Sequence, residues 1–371
     1  MSIATIEVNL LALKHNINLC KAQAPNCQLA AVVKANAYGH GMIEVARFLQ
    51  GDIDYLAVAR LSEALQLRCA GVTAPIIILA GFFHHDNLSL LERYALQPVI
   101  HCPEQIAMLH KLKTTRPLTV WFKLDTGMHR LGFRAEDAIN YFQQLQQCAS
   151  VAKPINLISH FCNADLLDQP DTVSQIAVFD DFISALGDRS CIGLQSLAAS
   201  GGQLAWSASY RDVIRPGLAL YGVSPFSYHE IGKGTGAQLG LQPVMTLKSE
   251  LIAIRKQLKG EGIGYGQIWH SQRDTQIGVV AMGYGDGYPR NIPCGTPVLI
   301  NGQRKPIVGR VAMDMIMVDL GPDSQYRIGD DVIFWNHDLP VEEIADLTGI
   351  SAYELLTRLT SRAQIVYKKC I

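Results

Sequence analysis

Ala30-Ala31-Val32-Val33-Lys34-Ala35-Asn36-Ala37-Tyr38-Gly39-His40-Gly41 opens as a short apolar run with β-branched residues and closes on glycines. Such a run predicts a buried strand of a parallel sheet. A glycine-bounded loop is expected next, then a helix-like segment from Met42 to Leu49. Lys34 would stand where the strand gives way to its loop. Two readings of it are open. It snorkels out at the strand end, or it is held in an apolar wall, where a lowered pKa suits it to forming a Schiff base.

Outward from this stretch, strand and helix alternate. Candidate strands cover residues 29–33, 55–58, 76–79, 97–99, 119–122, 156–158, 193–196 and 213–214. Helix-like segments such as 62–69, 103–112, 135–148 and 178–186 lie between them. Eight strands in this alternation predict a closed (β/α)8 barrel of the TIM type. A doubly wound open sheet is the alternative, but no Gly-x-Gly-x-x-Gly turn opens it.

After about Gly222 the texture changes. Glycines punctuate residues 232–240, and alternating segments follow at 245–254, 276–282, 296–301, 311–320 and 331–335. Asn301-Gly302 is a hairpin signal. A mostly antiparallel β domain is expected, closing with two short helices, the second opened by the capping-box spacing Ser351-x-x-Glu354. The expected division is a barrel over 1–235 and a β domain over 236–371.

Composition narrows the function. A chain of 371 residues, 49% hydrophobic, favours two domains with a large core. A net charge of −1 gives no electrostatic reason to expect nucleic acid or an anionic membrane. No apolar run reaches transmembrane length, and Met1 to Val8 lack the form of a signal peptide. The nine cysteines are odd in number and form no Cys-x-x-Cys pair. A reducing, cytoplasmic setting is expected, with no metal site and no disulfide framework.

The polar residues gather at strand ends. Lys34 is expected after strand one, Lys123 and Asp125 after strand five, His160 after strand six, and Arg215 after strand eight. All map to the carboxyl rim, where barrel enzymes build their sites. The loops after strands seven and eight carry Ala199-Ser200-Gly201-Gly202 and Pro216-Gly217-Leu218. Small residues there let backbone N–H groups approach an anion, and the serine hydroxyl adds a donor. A rim lysine with a phosphate cradle fits pyridoxal 5'-phosphate, which needs an amine for its aldehyde and an anchor for its phosphate.

The chain resembles bacterial alanine racemase over essentially its whole length. The resemblance rests on Val33-Lys34-Ala35-Asn36-Ala37-Tyr38-Gly39-His40-Gly41, Lys123-Leu124-Asp125-Thr126-Gly127-Met128, Arg215-Pro216-Gly217, Gly264-Tyr265-Gly266, Gly283-Tyr284-Gly285-Asp286-Gly287 and Gly309-Arg310-Val311-Ala312-Met313-Asp314. His129 departs from the family's usual glycine, and Ala199 from its usual asparagine. The resemblance implies interconversion of L-alanine and D-alanine, for peptidoglycan supply or D-alanine breakdown, in a homodimer with shared active sites.

It also implies roles. Lys34 would hold the cofactor and act as one base, with Tyr265 as the base on the opposite face, linked through His160 to Arg215. Arg215 would face the pyridine nitrogen. Tyr38, Ser200, Gly217, Leu218 and Tyr353 would contact the cofactor phosphate or wall the site. Arg130 and the Met313 N–H would receive the substrate carboxylate, and Lys123 would carry a carbamate or, on the competing reading, stay neutral and buried. Asp165, Tyr284, Arg290 and Arg310 resemble residues of the substrate entrance. Other classes remain in view: a racemase of another small amino acid such as serine, a barrel-type decarboxylase, or a cofactor-binding module without catalysis. Decarboxylases of that kind carry a cysteine motif in the β domain, and neither Cys294 nor Cys370 has that context. Binding modules lack the second domain.

Overall fold

The structure is a computed structural model and describes residues 4–369. Cys370 lies outside the described residues. The chain forms two compact units. One comprises Ile17–Ala37 and Met42–Leu220; the other takes the chain up to Asn16, the short excursion Tyr38–Gly41, and everything from Tyr221 onward.

The first unit is a nearly closed parallel barrel. Its strands are Gln28–Val32, Tyr55–Val58, Ile76–Ile78, Leu96–Ile100, Trp121–Asp125, Ile155–Ile158, Ile192–Ser196 and Val213–Ile214, and successive strands from the first to the seventh pair in parallel. Val213 pairs back with Gln28. The seventh and eighth strands meet through the bridge of Ala199 with Arg215, where the Arg215 N–H donates to the Ala198 carbonyl at 2.8 Å. Strands buried on both faces must be apolar throughout, as Ile76, Ile77 and Ile78 are, each with 0% exposure. Helices cover the outside. Met42–Leu49 buries Met42, Val45, Ala46 and Leu49, one helical stripe, and each large apolar side chain so buried contributes about 1.5–3 kcal/mol. Behind the fifth strand, Phe122 stacks on Phe133 at 4.7 Å and meets Phe142 edge-on at 5.3 Å.

The second unit is built on an antiparallel sheet that closes on itself. Met245–Gln257 pairs with Thr275–Val280, which leads through Ile316–Gly321, Gln303–Val308, Pro297–Ile300 and Asp331–Trp335 back to Met245–Gln257. Asn301 and Gly302 turn the hairpin with φ of 50° and 75°, as a primed turn requires. Three elements differ from the sequence reading. The strand expected at 311–320 covers only Ile316–Gly321, because residues before it form a loop in which the Met313 carbonyl accepts the Gly285 N–H at 2.8 Å. Thr5–Asn9 is a strand of this unit, antiparallel to Met245–Gln257 and parallel to Gln364–Lys368. That last strand also means the unit does not end on its two helices, Val341–Thr348 and Ala352–Thr357. The expected serine cap is present: Ser351 Oγ accepts the Glu354 N–H at 3.2 Å.

Among the described residues, no helix is long and apolar enough to cross a membrane.

Candidate active site

Lys34 lies two residues beyond the strand Gln28–Val32, at the head of a turn that is not the expected loop. Ala35, Asn36, Ala37 and Tyr38 all have left-handed backbones, with φ of 52°, 55°, 53° and 53°. Residues with a Cβ lose about 1–2 kcal/mol each in that region. Specific bonds offset the strain. Ala37 N–H donates to the Val33 carbonyl at 2.8 Å, and Ala35 N–H to Glu63 Oε1 at 2.7 Å. Asn36 Oδ1 accepts the Met42 N–H at 2.9 Å and so starts the next helix. Lys34 itself is half-buried. Burial lowers its pKa, the Arg130 and Arg215 charges lower it further, and Glu63 opposes them.

Lys123 lies inside the strand Trp121–Asp125, not after it, because the ladder continues through the pairing of Lys123 with Ile158. Burial, followed by repulsion from Arg215 and Arg130, brings its pKa down to about 7. His160, just past the sixth strand, is held well below the usual histidine range by burial and then by Arg215, Lys123, Arg130 and Lys34. Its imidazole is therefore neutral. Arg130 is exposed. Among the described residues, the side chains of Lys34, Lys123 and Arg130 make no hydrogen bond or ion pair. Asp125 offsets only part of this charge, acting on Lys123 from a distance. Its carboxylate accepts the N–H groups of Gly127 at 3.1 Å and His129 at 3.0 Å, and it lies 3.3 Å from the His129 ring. This mouth has a positive field and calls for anionic ligands.

Arg215 is 4% exposed and tied into a buried polar belt. It donates to Ser196 Oγ, to the Ser159 carbonyl at 2.6 Å and to the Leu197 carbonyl at 3.2 Å. The belt continues outward. Ser159 Oγ donates to the Leu124 carbonyl at 2.8 Å and lies 2.9 Å from Thr126 Oγ1. Gln175, on the helix Asp171–Leu186, donates to Thr126 Oγ1 at 3.1 Å and to the His160 carbonyl at 3.2 Å. Arg215 and His160 are coupled electrostatically; among the described residues they share no hydrogen bond.

Beyond the seventh strand, Ser200 is 3% exposed, and its hydroxyl accepts the N–H groups of Gly217 at 2.9 Å and Ala219 at 3.2 Å. Leu218 is buried beside them. A Cβ on Gly202 would come within 3.2 Å of the Phe161 ring, and one on Gly201 within 3.2 Å of the Ala164 carbonyl carbon. A side chain at either position would require the neighbour to give by a few tenths of an ångström. The residues fit pyridoxal phosphate: an unpartnered rim amine, a buried guanidinium, and a serine hydroxyl among backbone N–H groups. Bound there, the group supplies an electron-withdrawing ring that stabilises negative charge on an amino-acid Cα.

Apart from Asp165, which lies in the barrel unit, the other expected residues belong to the β unit. Tyr38 is 5% exposed, with its ring 4.9 Å from Tyr221 and 5.9 Å from the half-exposed Tyr353. Tyr265 projects from a turn flanked by Gly264 and Gly266, with φ of 67° and 72°, and is 71% exposed. Met313 is also exposed, and its N–H takes no partner among the described residues. Asp314 pairs with Arg362 at 2.7 Å. Asp165, Tyr284 and Arg290 are exposed, and Arg310 is partly so.

Sequence reading did not single out Glu63, Thr126, Ser159, Gln175 or Ser196. Ser159 sits beside His160 and Glu63 has helix-capping spacing from Arg60, but neither feature names a distant partner.

A (β/α)8 barrel with an amine and an anion cradle at one rim defines a pyridoxal-phosphate barrel enzyme. Comparison with known proteins narrows the class. The family profiles "Alanine racemase, N-terminal domain" and "Alanine racemase, C-terminal domain" match residues 8–225 and 244–367. The chain is 52% identical to an alanine racemase of Pectobacterium carotovorum and 51% identical to the biosynthetic alanine racemase of Escherichia coli K12, each over 99% of both chains. It superposes on the biosynthetic alanine racemase of Pseudomonas aeruginosa with a TM-score of 0.92 at 40% identity, covering 99% of this chain and 100% of that one. For the Acinetobacter baumannii enzyme the TM-score is 0.91 at 35% identity, with the same coverage. The chain belongs to the alanine racemase family, amino-acid isomerases that depend on pyridoxal phosphate.

Proposed function

We propose that the protein interconverts L-alanine and D-alanine with Lys34 and Tyr265 as opposed bases. The observation that carries this reading is Lys34: an amine with lowered proton affinity and, among the described residues, no hydrogen-bond or ion-pair partner, at the mouth of a barrel. Lys34 takes or returns the Cα proton on one face, and the Tyr265 phenol does so on the other. A phenol with an ordinary pKa of about 10 is a weak base at neutral pH, so Tyr265 acts with His160 and Arg215. Ser200, Gly217, Leu218, Tyr38 and Tyr353 hold the cofactor phosphate. Arg215 would lie toward the ring nitrogen and, having donors only, would leave it unprotonated. Arg130 and the Met313 N–H orient the substrate carboxylate.

Lys123 carries a carbamate. A pKa of about 7 supports this, since only the neutral amine attacks carbon dioxide. The N–C bond forms as one N–H proton leaves, and the product anion would sit beside Arg130.

The working form is a homodimer, with the barrel unit of one chain completed by the β unit of its partner. Support comes from Tyr265, Ile268, Met313 and Met315, large apolar residues with 46–71% exposure. We place the enzyme in the cytoplasm, making D-alanine for peptidoglycan or degrading it. The deciding experiment incubates the protein with L-alanine, L-serine, L-lysine and L-ornithine, following D-amino acid and carbon dioxide. Accumulation of D-alanine without carbon dioxide is expected. Carbon dioxide release from lysine or ornithine, with no D-alanine, would replace the reading with a decarboxylase.

A further inference from the structure

We propose that Glu63 is a positioning residue for Lys34: its carboxylate clamps the left-handed turn that follows the lysine and supplies negative charge that acts on the amine. The proposal rests on Lys34 as the cofactor lysine, and its test does not.

Glu63 sits in the first turn of the helix Leu61–Cys69. A glutamate there needs to do no more than accept the N–H of the residue before the helix. Glu63 Oε2 does so, taking Arg60 N–H at 3.0 Å together with Ala59 N–H at 2.8 Å. Its other oxygen reaches a different part of the barrel. Oε1 accepts Ala35 N–H at 2.7 Å, 28 residues away in sequence. One carboxylate thus fastens the segments that leave the first and second strands. The bond to Ala35 falls on the first residue of the left-handed turn. Hydrogen bonds to an ionised acceptor are stronger than neutral ones, as a backbone held in a disfavoured region requires.

Charge gives a second, separate line. The groups acting on Lys34 come from several elements: Arg130 from the loop after the fifth strand, Arg215 from the eighth, and Glu63. Lys123 and His160 also feel Lys34. Glu63 alone in this set draws a proton toward the Lys34 amine. An amine that gives and takes a proton in turnover works best with its affinity near ambient pH. Glu63 opposes the arginines and keeps the affinity from falling too far. It does this through backbone bonds and field, touching no reacting atom.

The test uses the apoprotein and two readouts. Competitive acetylation against pH, read by mass spectrometry, reports the midpoint of Lys34; amide exchange reports residues 34–41. Glu63→Gln keeps the length, removes the charge and sets an NH2 group against N–H donors. It should lower the Lys34 midpoint and speed exchange of the Ala35 amide about tenfold, as for the loss of one charge-assisted bond. Glu63→Asp keeps the charge but shortens the reach; its midpoint should return toward that of the parent while exchange stays fast. A glutamine variant with both readouts unchanged would overturn the proposal. If neither variant folds, the unaltered apoprotein decides. The Ala35 amide must then be protected, and exchange as fast as an open loop would overturn the clamp. Because no cofactor is present, failure here is distinct from failure of the Lys34 assignment, which borohydride fixation of the cofactor and peptide mapping decide.

Discussion

Arg215 donates to the main-chain oxygen of Ser159 at 2.6 Å, and Ser159 directly precedes His160. The guanidinium therefore fixes the end of the strand from which His160 projects. Its bonds to Ser196 Oγ and the Leu197 carbonyl tie in the seventh strand as well. A planar fork with five donors can serve all three acceptors at once.

Lysine cannot do the same. Arg215→Lys keeps the charge but leaves at least one buried acceptor without a donor. The expected cost is about 2–3 kcal/mol in urea unfolding of the apoprotein, with racemisation slowed more than tenfold in the holoenzyme. A variant as stable as the parent would show that the belt does not depend on the fork.

Lys123 makes stability depend on pH. Its folded pKa is about 7, against roughly 10.4 for a free lysine. Between these values the unfolded chain binds more protons, so the stability of the apoprotein, freed of carbon dioxide, should fall as pH drops from about 10 to about 7 and level off below that, where both states hold the proton. Lys123→Met should flatten that slope in thermal melts at stepped pH. With carbon dioxide present, labelled carbonate should give a carbamate carbon resonance that the variant lacks. The variant should raise KM for alanine more than it lowers kcat, with small carboxylates restoring part of the loss. An unchanged slope and no carbamate signal would remove Lys123 from the site chemistry.

Gly39 tests the packing of the excursion Tyr38–Gly41. It has φ of +83°, and an added Cβ would come 2.2 Å from the Leu356 carbonyl oxygen. Gly39→Ala should cost about 3 kcal/mol or more, since strain and a backbone clash add. Gly71 is the control: it has φ of +82° but nothing within 4 Å of the added atom. Gly71→Ala should cost about 1 kcal/mol, the strain alone. Equal losses in urea unfolding would mean that the clash at Gly39 is relieved by small shifts.

The contrast between Lys34 and Glu63 shows what the sequence could carry. Lys34 was readable because it follows an apolar β-branched run, and the helix Met42–Leu49 because its apolar residues recur with helical period. The same logic brought His160, Ser200 and Arg215 to one rim. The turn from Ala35 to Tyr38 was not readable. Nothing in Ala-Asn-Ala-Tyr asks for left-handed backbone; it is imposed by bonds, one from Glu63 28 residues on. Thr5–Asn9 was missed for a like reason, since its partners lie at 245–248 and 364–368. From sequence Lys123 falls in the loop after its strand, because a charged residue reads as a strand end, yet it lies within the ladder. Gln175 and Ser196 declare themselves only through the buried atoms that they satisfy.

The shared-site dimer gives the last prediction. Lys34 belongs to the barrel unit and the exposed Tyr265 to the β unit. If each site takes Lys34 from one chain and Tyr265 from its partner, two nearly dead variants should complement each other. Lys34→Ala and Tyr265→Phe would be mixed under conditions that let subunits exchange, with exchange verified by mass-tagged chains. In a mixed dimer, one site combines the intact Lys34 of one chain with the intact Tyr265 of the other, and the second site carries both defects. Random exchange makes about half of the dimers mixed, so about a quarter of the parent activity should return. Were both bases to come from one chain, every site would keep one defect and mixing would restore nothing. Recovery near a quarter supports the shared site; no recovery after verified exchange rejects it.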